Sequence, residues 1–258
     1  MIPAIFVSHG APNMVLHDGP TRRFLSDLGP KLPRPRAAVV ISAHWEARAP
    51  VVNAAAQPET IHDFYGFEPE MYRMRYPAPG APQLAREIAQ RLESAGFNCT
   101  VDEARGIDHG VWTPLMLMYP QADVPVTQIS VQTPQGAAHH FRLGEALRAL
   151  REEDVLVLGS GGATHNLREL SWHDPDAAAP EWALGFAQWL RRNVERGDTE
   201  ALLGWRERAP QAARNHPTEE HFLPLFAALG AGTPGAPGRM LHSGFSMGAL
   251  AMDAYAFD

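Results

Sequence analysis

The sequence predicts a single α/β domain over residues 1–258, with a mostly parallel central sheet and helices on both faces. Three observations predict it. Residues 3–7, 37–41, 125–131 and 155–158 are short apolar runs with many β-branched side chains, the composition of strands buried on both faces. Segments with apolar residues at helical spacing separate these runs, and alternating strands and helices make a parallel sheet. Histidines then follow three of the runs: His9, His44 and His165. Carboxyl ends of strands are where open α/β sheets hold ligands.

The elements follow in order. A strand over 3–7 leads into the loop His9-Gly10-Ala11-Pro12-Asn13. A helix begins near Pro20, with Phe24, Leu25 and Leu28 on one face, and the prolines between 30 and 35 end it. The second strand starts at Ala37 and reaches Ser42-Ala43-His44-Trp45, and a third covers about 51–55. Residues 50–82 are otherwise aromatic and proline-bearing without clean periodicity, which fits either a functional lid or an aromatic plug over the core. Residues 83–95 form a helix with Leu84, Ile88 and Leu92 at i+4 spacing and Gly96 as its cap. A strand over 97–101 precedes Gly106–Trp112, a glycine-flanked loop that carries His109.

The strand at 125–131 is followed by a helix over 140–151, using Phe141, Leu147 and Leu150. The strand at 155–158 opens into Gly159-Ser160-Gly161-Gly162 and then Thr164-His165-Asn166. Further helices are expected over 181–195, with Trp182, Phe186, Trp189 and Leu190 on one face, and over 199–209. Another starts at Pro217, where Thr218 is a plausible N-cap and His221 falls in the first turn. The chain closes with a strand-like segment from Met240.

Bulk properties remove several classes. The 258 residues are 45% hydrophobic, enough for a sizeable core. A net charge of −7 argues against nucleic-acid and anionic-membrane partners, which need basic patches. A single cysteine, Cys99, allows no internal disulfide and fits a reducing cytoplasm. The N-terminus lacks the basic lead of a signal peptide, and no run approaches the roughly 20 apolar residues of a membrane span.

Two other motifs lack residues that their chemistry needs. Gly159–Gly162 lacks the lysine of a P-loop, and Thr164 stands where a dinucleotide fingerprint expects Gly or Ala; a bare turn that lets backbone approach a site explains the glycines better. Gly244-Phe245-Ser246-Met247-Gly248 matches a nucleophile elbow, but the histidine that must follow it is missing from the ten residues left. The histidines are the stronger signal. Any one alone reads as a structural ring bonded to a carbonyl. Several at the strand ends of one sheet share a cleft, and neutral imidazoles suit Zn, Fe, Cu or Ni.

The ordered set Ser8-His9-Gly10-Ala11-Pro12, Ser42-Ala43-His44-Trp45, Ile61-His62-Asp63-Phe64, Asp108-His109-Gly110, Thr164-His165-Asn166-Leu167 and Pro217-Thr218-Glu219-Glu220-His221-Phe222 resembles the DOPA-dioxygenase type of class III extradiol ring-cleaving dioxygenase, related to the catalytic subunit of protocatechuate 4,5-dioxygenase. The resemblance runs from about residue 3 to the C-terminus. It implies one α/β domain and a mononuclear non-haem metal centre with His9, His44 and His221 as ligands. It implies His165 as acid/base beside the metal, able to serve as a fourth ligand to zinc, and His109 as a second polar contact for substrate or dioxygen. The better-known ring-cleaving relatives have a carboxylate as third ligand, whereas His221 holds that position here with Glu219 and Glu220 beside it.

The implied reaction opens the ring of a catechol-type, DOPA-like substrate with O₂ to a muconic semialdehyde, using Fe(II), with Zn(II) as the other metal that three neutral ligands suit. Phe64, Tyr65, Phe67 and Tyr72 are candidates to stack on the ring, and Arg48, Arg73, Arg75 and Arg105 are candidates for a substrate carboxylate. The same histidines also suit a zinc hydrolase, or a metal-binding relative without turnover. A cytoplasmic monomer or homodimer is expected.

Overall fold

The computed structural model describes residues 1–258. Ten strands and nine helices follow one another as β1 (Ala4–Ser8), α1 (Pro20–Lys31), β2 (Ala37–Glu46), β3 (Val51–Asn53), α2 (Pro82–Ser94), β4 (Thr100–Asp102), α3 (His109–Met118), β5 (Val126–Val131), α4 (Gly136–Leu147), β6 (Val155–Gly161), α5 (Glu181–Arg196), α6 (Thr199–Leu203), α7 (Trp205–Arg208), α8 (Ala212–Asn215), α9 (Leu223–Ala231), β7 (Arg239–His242), β8 (Phe245–Ser246), β9 (Leu250–Ala251) and β10 (Ala254–Phe257).

Eight strands make one sheet in the order β4-β3-β5-β2-β6-β1-β10-β7. The central four, β5, β2, β6 and β1, are parallel. β3 runs antiparallel to β5, and β10 and β7 close the other side with antiparallel pairs. The apolar runs explain the parallel centre, because their side chains alternate between two cores. Phe6, Val39 and Val157 face one, with α2, α4, α5 and α9, while Ile5, Val40 and Leu156 face the other, with α1 and α3. A strand buried on both faces needs apolar residues at every position. The fold class therefore agrees with the sequence expectation.

Several boundaries differ, each for a local reason. The helix expected over 140–151 begins at Gly136 and tightens into a 3₁₀ turn, Arg148–Glu153. The helix expected over 199–209 splits at Gly204 into α6 and α7. The strand expected over 97–101 is Thr100–Asp102, with Phe97 and Cys99 buried on its approach. The helix expected from Pro217 starts only at Leu223, so His221 precedes it rather than occupying its first turn. Pro224 sets that start, since proline fits the first turn, where its missing N–H costs no bond. Thr218 does not cap the helix, because its hydroxyl donates to Glu220 Oε1 at 2.9 Å. His109, expected in a loop, opens α3.

The site depends on strand order. β6 lies between β2 and β1, so the ends of β1, β6 and β2 are neighbours and the residues that follow them share one rim. The register of β2 against β5 shifts between Ile41 and Glu46, a bulge of the kind that re-aims side chains beside a site.

Candidate metal centre

His9 follows β1 directly, and its backbone N–H donates to Gly161 O on β6 at 3.0 Å. His44 lies within the irregular end of β2. His221 reaches the same place from the other side of the chain, because Gly161 lets its backbone approach β6: a Cβ at position 161 would collide with the carbonyl oxygen of His221. The expectation that the glycine stretch permits a close backbone approach holds, with the segment 221–224 as what approaches.

The three rings converge through Nε2. His9 Nε2 lies 3.0 Å from His44 Nε2, which lies 3.2 Å from His221 Nε2. Ligands held at about 2.0–2.1 Å in tetrahedral geometry stand roughly 3.3 Å apart, so the spacing matches a shared small cation.

The Nδ1 contacts support the same reading. Pro114, inside α3, has no N–H to give the carbonyl four residues back, Gly110 O. The Ser160 hydroxyl donates to that carbonyl instead, so its lone pair accepts from His9 Nδ1 at 3.0 Å. His221 Nδ1 donates to the carboxylate of Glu220 at 3.0 Å, and His44 Nδ1 lies 3.6 Å from Asp63 Oδ2. With a proton on each Nδ1, three Nε2 lone pairs face one another. That arrangement is repulsive until a cation lies among them, and a divalent metal fits it. Burial first, and repulsion among the rings second, holds His9, His44 and His221 well below the usual histidine pKa, so all three are neutral near pH 7.

The other two histidines flank this triad. His165 lies flat on His221 with ring centroids 3.4 Å apart, and burial followed by repulsion from His109 lowers its pKa to about 4. Its ring has no hydrogen-bond partner in the protein, and its backbone N–H donates to Asn215 O at 2.9 Å. His109 lies on the opposite side, 3.9 Å from the His44 ring and 5.4 Å from the His9 ring. Gly110 beside it allows α3 to pack tightly, since a Cβ there would collide with Ser42 Oγ. Asp108 is buried against Ser42 Oγ at 2.7 Å, Gln128 Nε2 and, at 3.4 Å, Arg105. All five expected histidines therefore come together.

The aromatic segment is neither a free lid nor a simple plug. Trp112 Nε1 donates to Ile61 O, Thr60 Oγ1 accepts from Tyr76 N, and Glu68 accepts from Asn13 and His17, so the segment is clamped at several points. Phe64 points inward, 5.7 Å from the His109 ring and 6.1 Å from Trp112. Tyr65 is 92% exposed. Of the four arginines, Arg48, Arg73 and Arg75 are exposed, while Arg105 stacks on Trp45 at 4.4 Å and reaches toward Asp108.

Comparison with known proteins decides the family. Residues 3–257 match the family described as the catalytic LigB subunit of aromatic ring-opening dioxygenase. The chain belongs to that family. It is an extradiol ring-cleaving dioxygenase, whose substrates are an aromatic compound and O₂. It is 41% identical to a 4,5-DOPA dioxygenase extradiol of Beta vulgaris, over 98% of this chain and 95% of the relative. It is 42% identical to a protein of the same name from Escherichia coli K12, over 97% of this chain and 93% of that one. A crystal structure of an uncharacterized Escherichia coli K12 protein superposes with a TM-score of 0.85 and 36% identity, covering all of both chains. Membership in a dioxygenase family sets aside the hydrolase and non-enzymatic readings.

Three residues of the site had no role in the sequence reading: Asp63, Ser160 and Glu220. Asp63 and Glu220 stand within the histidine motifs, but a carboxylate beside a histidine in sequence carries no sign of which ring it will bond. Ser160 stands in a glycine-rich stretch whose pattern points to the backbone and not to a hydroxyl.

Proposed function

We propose that His9, His44 and His221 hold one divalent metal, Fe(II) for turnover with Zn(II) as a competing occupant, and that residues 1–258 act as one catalytic unit on a catechol-type, DOPA-like substrate. The product is a ring-opened muconic semialdehyde. The observation that carries this reading is the convergence of three Nε2 atoms whose Nδ1 contacts lie elsewhere. The names of the relatives support a DOPA-like substrate. The metal, when bound, would acidify the catechol and hold it together with O₂ within reacting distance.

In this reading the carboxylate absent from the ligand set acts through Glu220, which holds His221 by its Nδ1. His165 takes a phenolic proton and returns it later in the reaction. Its ring is neutral near pH 7, the form that accepts a proton. His109 contacts substrate or dioxygen from the other side, and is also the ring against which Phe64 packs. Phe64, backed by the buried Trp112, is the side chain placed to stack on the substrate ring and keep water out. The acidic chain with its buried Cys99 supports a cytoplasmic protein with no nucleic-acid or membrane partner.

The test is anaerobic reconstitution with Fe(II), followed by air and a panel of catechols. O₂ consumption with a yellow ring-opened product, lost in His165→Ala, is the expected result. No turnover with Fe(II), alongside Zn(II) binding that His44→Ala abolishes, would keep the metal site and remove the assigned reaction.

A further inference from the structure

Asp63 touches two of the five rings at once. Its Oδ1 accepts from both the backbone N–H of His109 at 3.0 Å and the ring Nδ1 of His109 at 2.9 Å. Its Oδ2 lies 3.6 Å from Nδ1 of His44. Resting on the reading in which His44 is a ligand and His109 meets substrate, we propose that Asp63 is a positioning residue that fixes the tautomers of His44 and His109 together, so that each ring works only through Nε2.

The argument is one of donors and acceptors. An ionised carboxylate only accepts, so any imidazole nitrogen turned toward it carries the proton. His109 Nδ1 therefore keeps its proton on the Asp63 side whichever form the ring takes, and proton traffic at this residue is confined to Nε2. The same negative charge, 3.6 Å from His44 Nδ1 and so beyond a hydrogen bond, favours the proton on that nitrogen, which leaves the Nε2 lone pair facing those of His9 and His221. An aspartate carboxyl is ionised near pH 7, and the two N–H groups of His109 that point at Oδ1 need an acceptor, so the group accepts in the working range. The carboxylate also lies at the N-terminus of α3, where the helix dipole favours an anion. Asp63 enters from a segment distant in sequence that is clamped to the body by Trp112, Asn13 and His17, so its position is set by the fold.

Two substitutions separate positioning from mere capping of α3. Asp63→Asn retains an oxygen that accepts from His109 N and Nδ1. Its amide NH₂ then turns toward His44 Nδ1, and a donor facing that nitrogen forces His44 to put its proton on Nε2, where the lone pair is needed. Asp63→Ala releases both rings. The full chain, stripped of metal by a chelator, is compared by ¹⁵N–¹H NMR of the histidine rings and by titration with Zn(II) alone, with the exposed Glu70→Gln and with His44→Ala as controls.

The expected result is Nδ1–H tautomers for both rings in the wild type and in Glu70→Gln, a switch at His44 alone in Asp63→Asn, and loss of the fixed form at both rings in Asp63→Ala. Zn(II) affinity falls about 10–100-fold in Asp63→Asn, the range expected for loss of a partner that orients a ligand. Wild-type tautomers and unchanged Zn(II) affinity in Asp63→Asn would overturn the proposal and leave Asp63 as a helix cap. If His44→Ala binds Zn(II) as tightly as wild type, the ligand reading falls, and the tautomers at His44 and His109 still decide the case of Asp63.

Discussion

His9 and His140 are both buried imidazoles with lowered pKa values, but their nitrogens are used in opposite ways. His140 donates from Nδ1 to Gly136 O at 2.8 Å and accepts at Nε2 from the backbone N–H of Gln132 at 3.0 Å. Both nitrogens are spent on backbone, and the ring pins the end of β5 to the start of α4. His9 spends only Nδ1, on Ser160, and its Nε2 faces another imidazole. His216 resembles His140 in having Nε2 spent on backbone, on Ala163 O at 3.0 Å, although its buried Nδ1 has no partner beside the rings of Phe222 and Trp205. Burial and pKa do not separate a proposed ligand from a strut in this chain. The difference lies in whether Nε2 already has a protein partner.

The sharpest way to break this comparison is to delete one histidine from each set. His44→Ala is expected to abolish stoichiometric Zn(II) binding and to lower kcat by more than the roughly 10–100-fold that loss of a ligand's hydrogen-bond partner brings. Zn(II) at 100 times its Kd should stabilise the wild type by about 2.7 kcal/mol and leave His44→Ala unmoved in a thermal melt. His140→Ala should do the reverse, costing about 2–3 kcal/mol because buried backbone groups lose their partners, with kcat per folded molecule unchanged. Equal loss of activity in both variants would remove the distinction.

Titration offers a second test. Burial lowers His140 to about 4, against 6.5 for a free ring. The unfolded chain therefore takes up the proton first as the medium acidifies. The stability from a neutral His140 is present above pH 6.5 and is lost as pH falls toward about 4, up to ~3 kcal/mol. Urea midpoints between pH 7 and pH 4 should fall less steeply for His140→Gln than for wild type. A parallel decline would show that His140 contributes nothing to acid lability.

Smaller effects probe the contacts to Nδ1. Glu220→Gln should weaken Zn(II) binding at the low end of about 10–100-fold, because the amide oxygen still accepts from His221 but carries no charge. Ser160→Ala should weaken it by less, since the lost partner is neutral. Pro114→Ala, which returns an N–H to compete for Gly110 O, is expected to change it least. An inverted order in one titration series would refute the assignment of these partners.

The sequence by itself determined the sheet and named the histidines that the structure brings together. Doubly buried strands must be apolar at every position, so Ile5–Val7, Val39–Ile41 and Val155–Leu158 declared themselves, and the ordered histidine motifs carried the family. Helix starts were less legible where a side chain had a competing bond, as with Thr218, whose hydroxyl goes to Glu220 rather than to a helix N–H. The tertiary structure alone decided what joins the histidines. β6, late in the chain, inserts between β1 and β2, and only that order makes neighbours of His9, His44 and His165. The partners on Nδ1 were settled at the same level. Asp63 reaches His109 across 46 residues and Ser160 reaches His9 across 151. A hydrogen bond of that span leaves no periodic trace in the sequence, because its partners are chosen by packing rather than by spacing along the chain.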